Sequence, residues 1–203
     1  MPFPDKPFSQ ACENNKRFIL DRISDQFLPG RTVLEIGSRT AQHVTFFAQM
    51  LPQVRWLPSD TPENMATLVE CLDGHQCENI AVPVPLDVTQ TPWPLSGASV
   101  NGVFSANTLH IMPWMAVECF FLGVARVLRP GGKLCVYGPF KYGGEFTTPS
   151  NAQFDASLRS QNPESGLRDF ERVLALAEAQ DFELLADHDM PTNNQLLIWQ
   201  LRE

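Results

Sequence analysis

Val33-Leu34-Glu35-Ile36-Gly37-Ser38-Arg39-Thr40-Ala41-Gln42-His43 is the stretch whose reading decides the fold. A short β-rich run, Thr32 to Ile36, ends in Gly37-Ser38, and a helical pattern follows from about Ala41 to Leu51 until Pro52 stops it. A glycine turn between a strand and a helix lets the backbone approach a ligand closely and offers N–H groups at the helix N-terminus. Asp60, 23 residues beyond Gly37, follows a second strand. A carboxylate there can accept both hydroxyl hydrogens of a ribose. Asp87 follows a third strand, placed to accept from an amino group such as adenine's. Taken in order, these features describe a nucleoside-shaped pocket.

The same rhythm extends to either side. Ile19, Ile23 and Phe27 recur every four residues and predict a helix from Ser9 to Leu28, stopped by Pro29-Gly30. Strands are expected at Val54–Leu57 (ending near Asp60), Ala81–Leu86, Val100–Ala106 and Lys133–Gly138. Prolines 83 and 85 should make the second of these irregular. Helices are expected at Glu63–Leu72, Pro113–Leu128 and Leu167–Ala179, with Arg168 and Asp169 opening the last. Such alternation implies a parallel sheet with helices on both faces. The rhythm breaks at Phe182–Asp187 and Gln195–Leu201, which are too close for a parallel crossover and should form a hairpin. No linker divides residues 1–203, so one domain is expected: an N-terminal arm and helix over 1–30, and a polar insertion over 139–165. That insertion lies beyond a strand's carboxyl end, where such sheets place ligands, and is expected to form part of a substrate lid.

Composition excludes several function classes. At 43% hydrophobic and 19% charged over 203 residues, the chain is a folded globule rather than a disordered one. A net charge of −8, with no Lys/Arg run, weighs against nucleic acid or an anionic membrane as partner. The longest apolar stretch, Cys119 to Ala125, falls far short of the ~20 residues that span a bilayer. Five scattered cysteines without a CxxC predict reduced thiols, and with no signal-peptide core at the N-terminus a cytoplasmic chain is expected. No HxxxH, HExxH, GxSxG or P-loop lysine occurs, so no catalytic metal, hydrolase elbow or NTPase site is expected.

Glu35-Ile36-Gly37, Asp60, Asp87, the turn Leu128-Arg129-Pro130-Gly131-Gly132-Lys133 and the terminal hairpin resemble class I S-adenosylmethionine-dependent methyltransferases. Further stretches are similar to the methyltransferase-like protein 26 family, also called domain of unknown function 938. They include Ser9-Gln10-Ala11-Cys12-Glu13-Asn14-Asn15-Lys16, Asn107-Thr108-Leu109-His110-Ile111, Gly166-Leu167-Arg168-Asp169 and Met190-Pro191-Thr192-Asn193-Asn194. The resemblance implies an α/β, Rossmann-like, seven-stranded sheet of order 3-2-1-4-5-7-6 with strand 7 antiparallel. It implies S-adenosylmethionine as cofactor. Glu35 would support the glycine turn, and Gly37, Ser38 and Gln42 would line the methionine end. Asp60 would hold the ribose, Asp87 the adenine amino group, and Asn107 would sit beside the sulfonium. The N-terminal arm would fold over the pocket.

Methyl transfer needs chiefly positioning, with a base where the acceptor carries a proton. Candidates for that base are His110, Tyr137 and Lys141, each near a strand's mouth. An aromatic mouth of Trp93, Trp114, Phe140, Tyr142 and Phe146 would suit a small, partly apolar acceptor. One departure matters: where the family reads Ser-Gly-Thr-Gly-Gln-His, this chain reads Ser38-Arg39-Thr40-Ala41-Gln42-His43. If position 39 must take a positive φ, a non-glycine residue there costs ~1–2 kcal/mol and its side chain would intrude on the site. A non-catalytic binding or regulatory protein on the same fold is therefore the alternative. A nicotinamide-dependent oxidoreductase shares the first βαβ unit but calls for a parallel continuation instead of a hairpin.

Overall fold

The computed structural model describes residues 6–203. Its first helix, α1 (Gln10–Ile23), starts where Ser9 Oγ accepts the Cys12 backbone N–H at 3.3 Å. It ends five residues before the expected Leu28, and its inner stripe is Ile19 and Ile23 with the buried polar Asn15. The segment Met1–Asp5, part of the expected arm, lies outside the described residues.

The core sheet grows from β1 (Thr32–Ile36), which pairs in parallel with β2 (Arg55–Asp60) on one side and β4 (Val100–Ala106) on the other. Beyond β2 stands β3 (Val84–Pro85), cut to two residues because Pro83 and Pro85 bring no N–H to the ladder. Beyond β4 stands β5 (Leu128–Gly138), and the Arg129–Gly132 turn bulges out of that ladder. The hairpin of β9 (Phe182–Met190) and β10 (Asn194–Leu201) completes the sheet, β10 running antiparallel to both β5 and β9. The order β3-β2-β1-β4-β5-β10-β9 is the expected seven-stranded arrangement.

Alternation along β1 shows how the layers form. Val33 faces α1, α2 (Gln42–Met50) and α3 (Met65–Leu72), in a cluster with Ile19, Phe47, Trp56 and Leu68. Leu34 and Ile36 face the opposite side, where α4 (Trp114–Val127) and α6 (Phe170–Glu178) pack through Val117, Phe120, Phe121 and Val173. Each fully buried Leu, Ile or Phe contributes about 1.5–3 kcal/mol, so two such layers hold the sheet rigidly. The carboxyl ends of β1 to β5 lie along one edge, carrying Gly37, Asp60, Leu86-Asp87, Asn107 and Pro139.

The insertion is ordered differently from a plain loop. It forms β6 (Phe140–Tyr142), β7 (Glu145–Phe146) and α5 (Pro149–Gln161), and β8 (Arg168–Asp169) joins them in a separate sheet of order β7-β6-β8. Arg168 and Asp169 therefore precede the helix they were expected to open: α6 begins at Phe170 with Asp169 as its N-cap. The reason is local. Asp169 accepts the Gly144 N–H at 2.8 Å, and the buried Arg168 reaches back into the loop after β4, so neither side chain bonds to the helix start.

Candidate active site at the carboxyl edge of the sheet

The turn after β1 is built by strand-end pairing. Both Gly37 and Ser38 donate their N–H groups to the Ser59 carbonyl, at 3.0 and 2.9 Å. Ser59 Oγ donates to the Glu35 carbonyl at 2.7 Å, and the Ser59 N–H donates to Ser38 Oγ at 3.2 Å. Gly37 has φ +82°, and a Cβ there would fall 2.6 Å from Thr108 Cγ2. Only glycine lets the turn after β4 come so close to the turn after β1. Arg39 and Ala41 take φ angles of 41° and 57°, the left-handed values that glycines hold more readily.

Asp60, buried at the end of β2, accepts the Arg39 N–H on Oδ2 at 2.7 Å. Its Oδ1 accepts from the Thr61 N–H and from Asn64 Nδ2, each at 2.8 Å. The Arg39 side chain itself is exposed, so it does not fill the site. Half-buried Asp87 accepts from the Thr89 N–H and Oγ1 on a single oxygen, Oδ1, at 2.9 and 2.8 Å.

Glu35 is the most telling group. It is 2% exposed, and its Oε2 has no hydrogen-bond partner among the described residues. Burial pushes its carboxyl up to about 7, the Ser38 hydroxyl pulls it down, and the Asp60 charge pushes it up further. A carboxyl in that state gains most from a cation arriving beside it.

The N-terminal helix closes over this turn. Gln42 Oε1 accepts the Ser9 N–H at 2.6 Å while Nε2 donates to the Ser9 carbonyl at 3.2 Å. Gln42 thus clamps the start of α1, a role that its sequence position did not reveal. Asn15 Oδ1 lies 2.7 Å from His43 Nε2 in the core.

The candidate bases are dispersed. Tyr137, 3% exposed, faces α1, and burial raises its phenol further. Lys141, half-buried on β6, holds its ammonium 5.6 Å from the Phe146 ring centroid. His110, 5% exposed, packs near Gly138 and edge-on against Phe154 of α5, ring centroids 5.4 Å apart. Burial, aided by the Arg168 charge, lowers its imidazole to about 4. His110 is therefore neutral at pH 7. Asn107, with φ 58°, donates its N–H to the Tyr137 carbonyl at 2.8 Å and ties the ends of β4 and β5.

Three residues missed by sequence reasoning shape this loop. Arg168 donates from Nε to the Leu109 carbonyl at 2.8 Å, and from Nη2 to the Met112 and Glu164 carbonyls. The Gly166 N–H donates to the His110 carbonyl at 2.8 Å, and Ser165 Oγ to the Ile111 carbonyl at 2.8 Å. Four successive carbonyls around His110 are satisfied from one short segment. The Gly166–Asp169 stretch was the available signal. The expected aromatic mouth is dispersed: Trp93 lies flat on Gly123 beside α4, Trp114 stacks with Arg172, and Phe140 is core. One cleft of about 130 Å³ lies beside Arg31 and Arg129, away from this edge, and one of about 250 Å³ beside Trp93 reaches Thr89, which hydrogen-bonds Asp87.

This sheet order, with a glycine turn and acids at successive strand ends, is the fold of class I methyltransferases. The chain belongs to the family described as protein of unknown function (DUF938), which matches residues 6–201. Among solved structures it is similar to an O-methyltransferase family protein from Burkholderia thailandensis, with TM-score 0.78 and 14% identity over 93% of this chain and 56% of that one. Human N-acetylserotonin methyltransferase in complex with S-adenosylmethionine gives TM-score 0.77 and 14% identity over 93% of this chain and 52% of that one. The chain thus spans about half the length of these neighbours. The YcgJ protein from Bacillus subtilis matches end to end, with TM-score 0.72 and 13% identity over 94% of this chain and 99% of that one.

Proposed function

We propose that the protein is a methyltransferase using S-adenosylmethionine on a small-molecule acceptor. The observation that carries this is the buried Glu35 carboxyl at the Gly37 turn, whose Oε2 has no hydrogen-bond partner among the described residues. A buried acid with one oxygen left unsatisfied is costly to ionise unless a cation completes it. Asp60 and Asp87 add acceptors for hydroxyl and amino hydrogens at the next two strand ends. Together the residues fit a cationic amino-acid nucleoside better than a neutral or anionic one.

When bound, S-adenosylmethionine supplies an electrophilic methyl group. Glu35, Gly37 and Ser38 hold its amino-acid end, with Gln42 fixing α1 over them. Asp60 binds the ribose hydroxyls, Asp87 the adenine amino group, and Asn107 orients the reacting end. His110 is unprotonated at neutral pH and accepts the acceptor's hydrogen bond; lowered to about 4, it is a weak base that orients the hydroxyl more than it deprotonates it. Tyr137 shapes the wall under α1, and Lys141 belongs to the 139–165 lid. No described helix is long and apolar enough to cross a membrane.

The alternative, a binding or regulatory protein with a weakened cofactor site, draws on the left-handed Arg39 and Ala41. The exposed Arg39 side chain disfavours a blocked pocket. Thermal unfolding with S-adenosylmethionine, S-adenosylhomocysteine and NAD tests the proposal. At ~100 times its Kd a native-state ligand adds about 2.7 kcal/mol. Both sulfur nucleosides should raise the midpoint and NAD should not. No shift at millimolar nucleoside would reject the cofactor and leave the alternative.

A further inference from the structure

Helix α5 is built against the usual rule. Its buried residues are Asn151 and Asp155, both polar, while its one aromatic residue, Phe154, is 42% exposed. A surface helix normally turns such a ring into the core. Here polar bonds hold both ends instead. At the start, Asn151 Nδ2 donates to the Asn193 carbonyl at 2.9 Å, and Asn193 Nδ2 donates to Ser150 Oγ at 3.2 Å. Further along, Asp155 accepts the Leu167 N–H at 2.7 Å and Arg159 Nε at 2.7 Å. The helix is thus slung from the β9–β10 turn to the segment that anchors the His110 loop.

What this geometry presents is the Phe154 ring, set edge-to-face on His110 at 5.4 Å and 71°. His110 lies two residues beyond Thr108, whose methyl abuts Gly37. The loop after β4 therefore carries Thr108 against the cofactor turn at one point and His110 against Phe154 two residues later. Cations near this segment include Arg168 and Lys141. Arg168 is turned onto main-chain carbonyls, and the Lys141 ammonium rests over Phe146.

Resting on the methyl-transfer reading above, we infer that His110 and Phe154 form the acceptor subsite, and that it takes a neutral, planar aromatic molecule bearing a hydroxyl. Phe154 supplies the ring face that such a molecule stacks against, and His110 meets its hydroxyl. A carboxylated acceptor would find the Arg168 guanidinium already committed to main-chain carbonyls. A saturated one would forgo the ring–ring contact, worth about 0.5–1.5 kcal/mol beyond area.

The test uses the whole protein with S-adenosylhomocysteine, whose binding is first read by thermal shift. The probes are 1-naphthol, decahydro-1-naphthol and 1-naphthoate, followed through the His110 ring resonances by NMR. We expect 1-naphthol to shift those resonances and to bind at least about fivefold more tightly than either other probe, roughly 1 kcal/mol. Phe154→Ala and Phe154→Leu should lose that margin, and Phe154→Trp should keep it. Because Phe154 is half-exposed, these variants should fold, and unfolding midpoints verify this. Equal binding of the saturated alcohol, an unmoved His110, or wild-type affinity in Phe154→Ala would each overturn the subsite. Absence of S-adenosylhomocysteine binding would instead remove the cofactor reading, and the subsite with it.

Discussion

At Arg39 and Ala41 the backbone takes the left-handed turn that the resemblance reserves for glycine. The strain expected at position 39 is present and Ala41 shares the conformation, but both act on stability more than on the site. Asp60 is met by the Arg39 main-chain N–H, which glycine would supply equally well. Arg39→Gly should therefore stabilise the protein by about 0.5–1 kcal/mol, relief of strain outweighing the lost stiffness of the unfolded chain. Calorimetry would show a rise of about 2–4 °C per kcal/mol. Affinity for S-adenosylhomocysteine should stay within about threefold, roughly 0.6 kcal/mol. A gain beyond tenfold would favour the weakened-site alternative. Glu35 makes the opposite trade. Its carboxyl, raised to about 7 chiefly by burial and with Oε2 unsatisfied, is costly to ionise. Glu35→Gln should stabilise the ligand-free protein at pH 8 by up to roughly 3 kcal/mol. The same change should weaken S-adenosylmethionine by about tenfold or more, ~1.4 kcal/mol, because the amide offers the cation no charge. Calorimetry with and without the nucleoside separates these effects.

Elements built on periodicity were legible; those built on polar contacts were not. The apolar residues of β1, β4 and α4 alternate or recur at helical spacing, so burial alone predicts them. Glu35, Gly37, Asp60 and Asp87 follow such elements directly, and their shared edge could be read from strand order. Helix α5 has no apolar stripe, and β6, β7 and β8 have two or three residues each, so no pattern announces them. Phe154 and the Gln42–Ser9 clamp were hidden for the same reason: their meaning lies in partners 33 or more residues away. Arg168 shows how much one unannounced side chain can hold. Arg168→Ala strands the Leu109, Met112 and Glu164 carbonyls that it now satisfies. Each buried orphan costs about 1–3 kcal/mol, and water will reach some, so a total loss of about 3 kcal/mol is expected in urea unfolding. Arg168→Lys, a point charge without the fork, should recover less than half.

Over the whole molecule, buried ionisable groups set how stability follows pH, and they pull in opposite directions. His43 is lowered to about 4 by burial and the Lys16 charge, and His110 to about 4 by burial and the Arg168 charge. Unfolding lets both bind protons near their ordinary value of 6.5, so their contribution is lost as pH falls from 6.5 towards 4. Glu35, raised from 4.5 to about 7, works the other way: the folded state holds a proton that the unfolded state releases, so stability returns as pH falls through that window. Between pH ~4.5 and ~6.5 two histidines oppose one glutamate, and unfolding takes up about one net proton. Ligand-free stability should then fall on acidification by about 1.4 kcal/mol per pH unit. Glu35→Gln removes the opposing group, and its slope should approach ~2.7 kcal/mol per unit. Asp187, raised mainly by burial, trims the acid end of both slopes alike and leaves their difference intact. Urea midpoints at half-unit steps from pH 4.5 to 6.5 would measure both slopes. Parallel lines for the two proteins would mean that Glu35 is ionised in the folded state, and so already has a partner for its charge before any cofactor arrives.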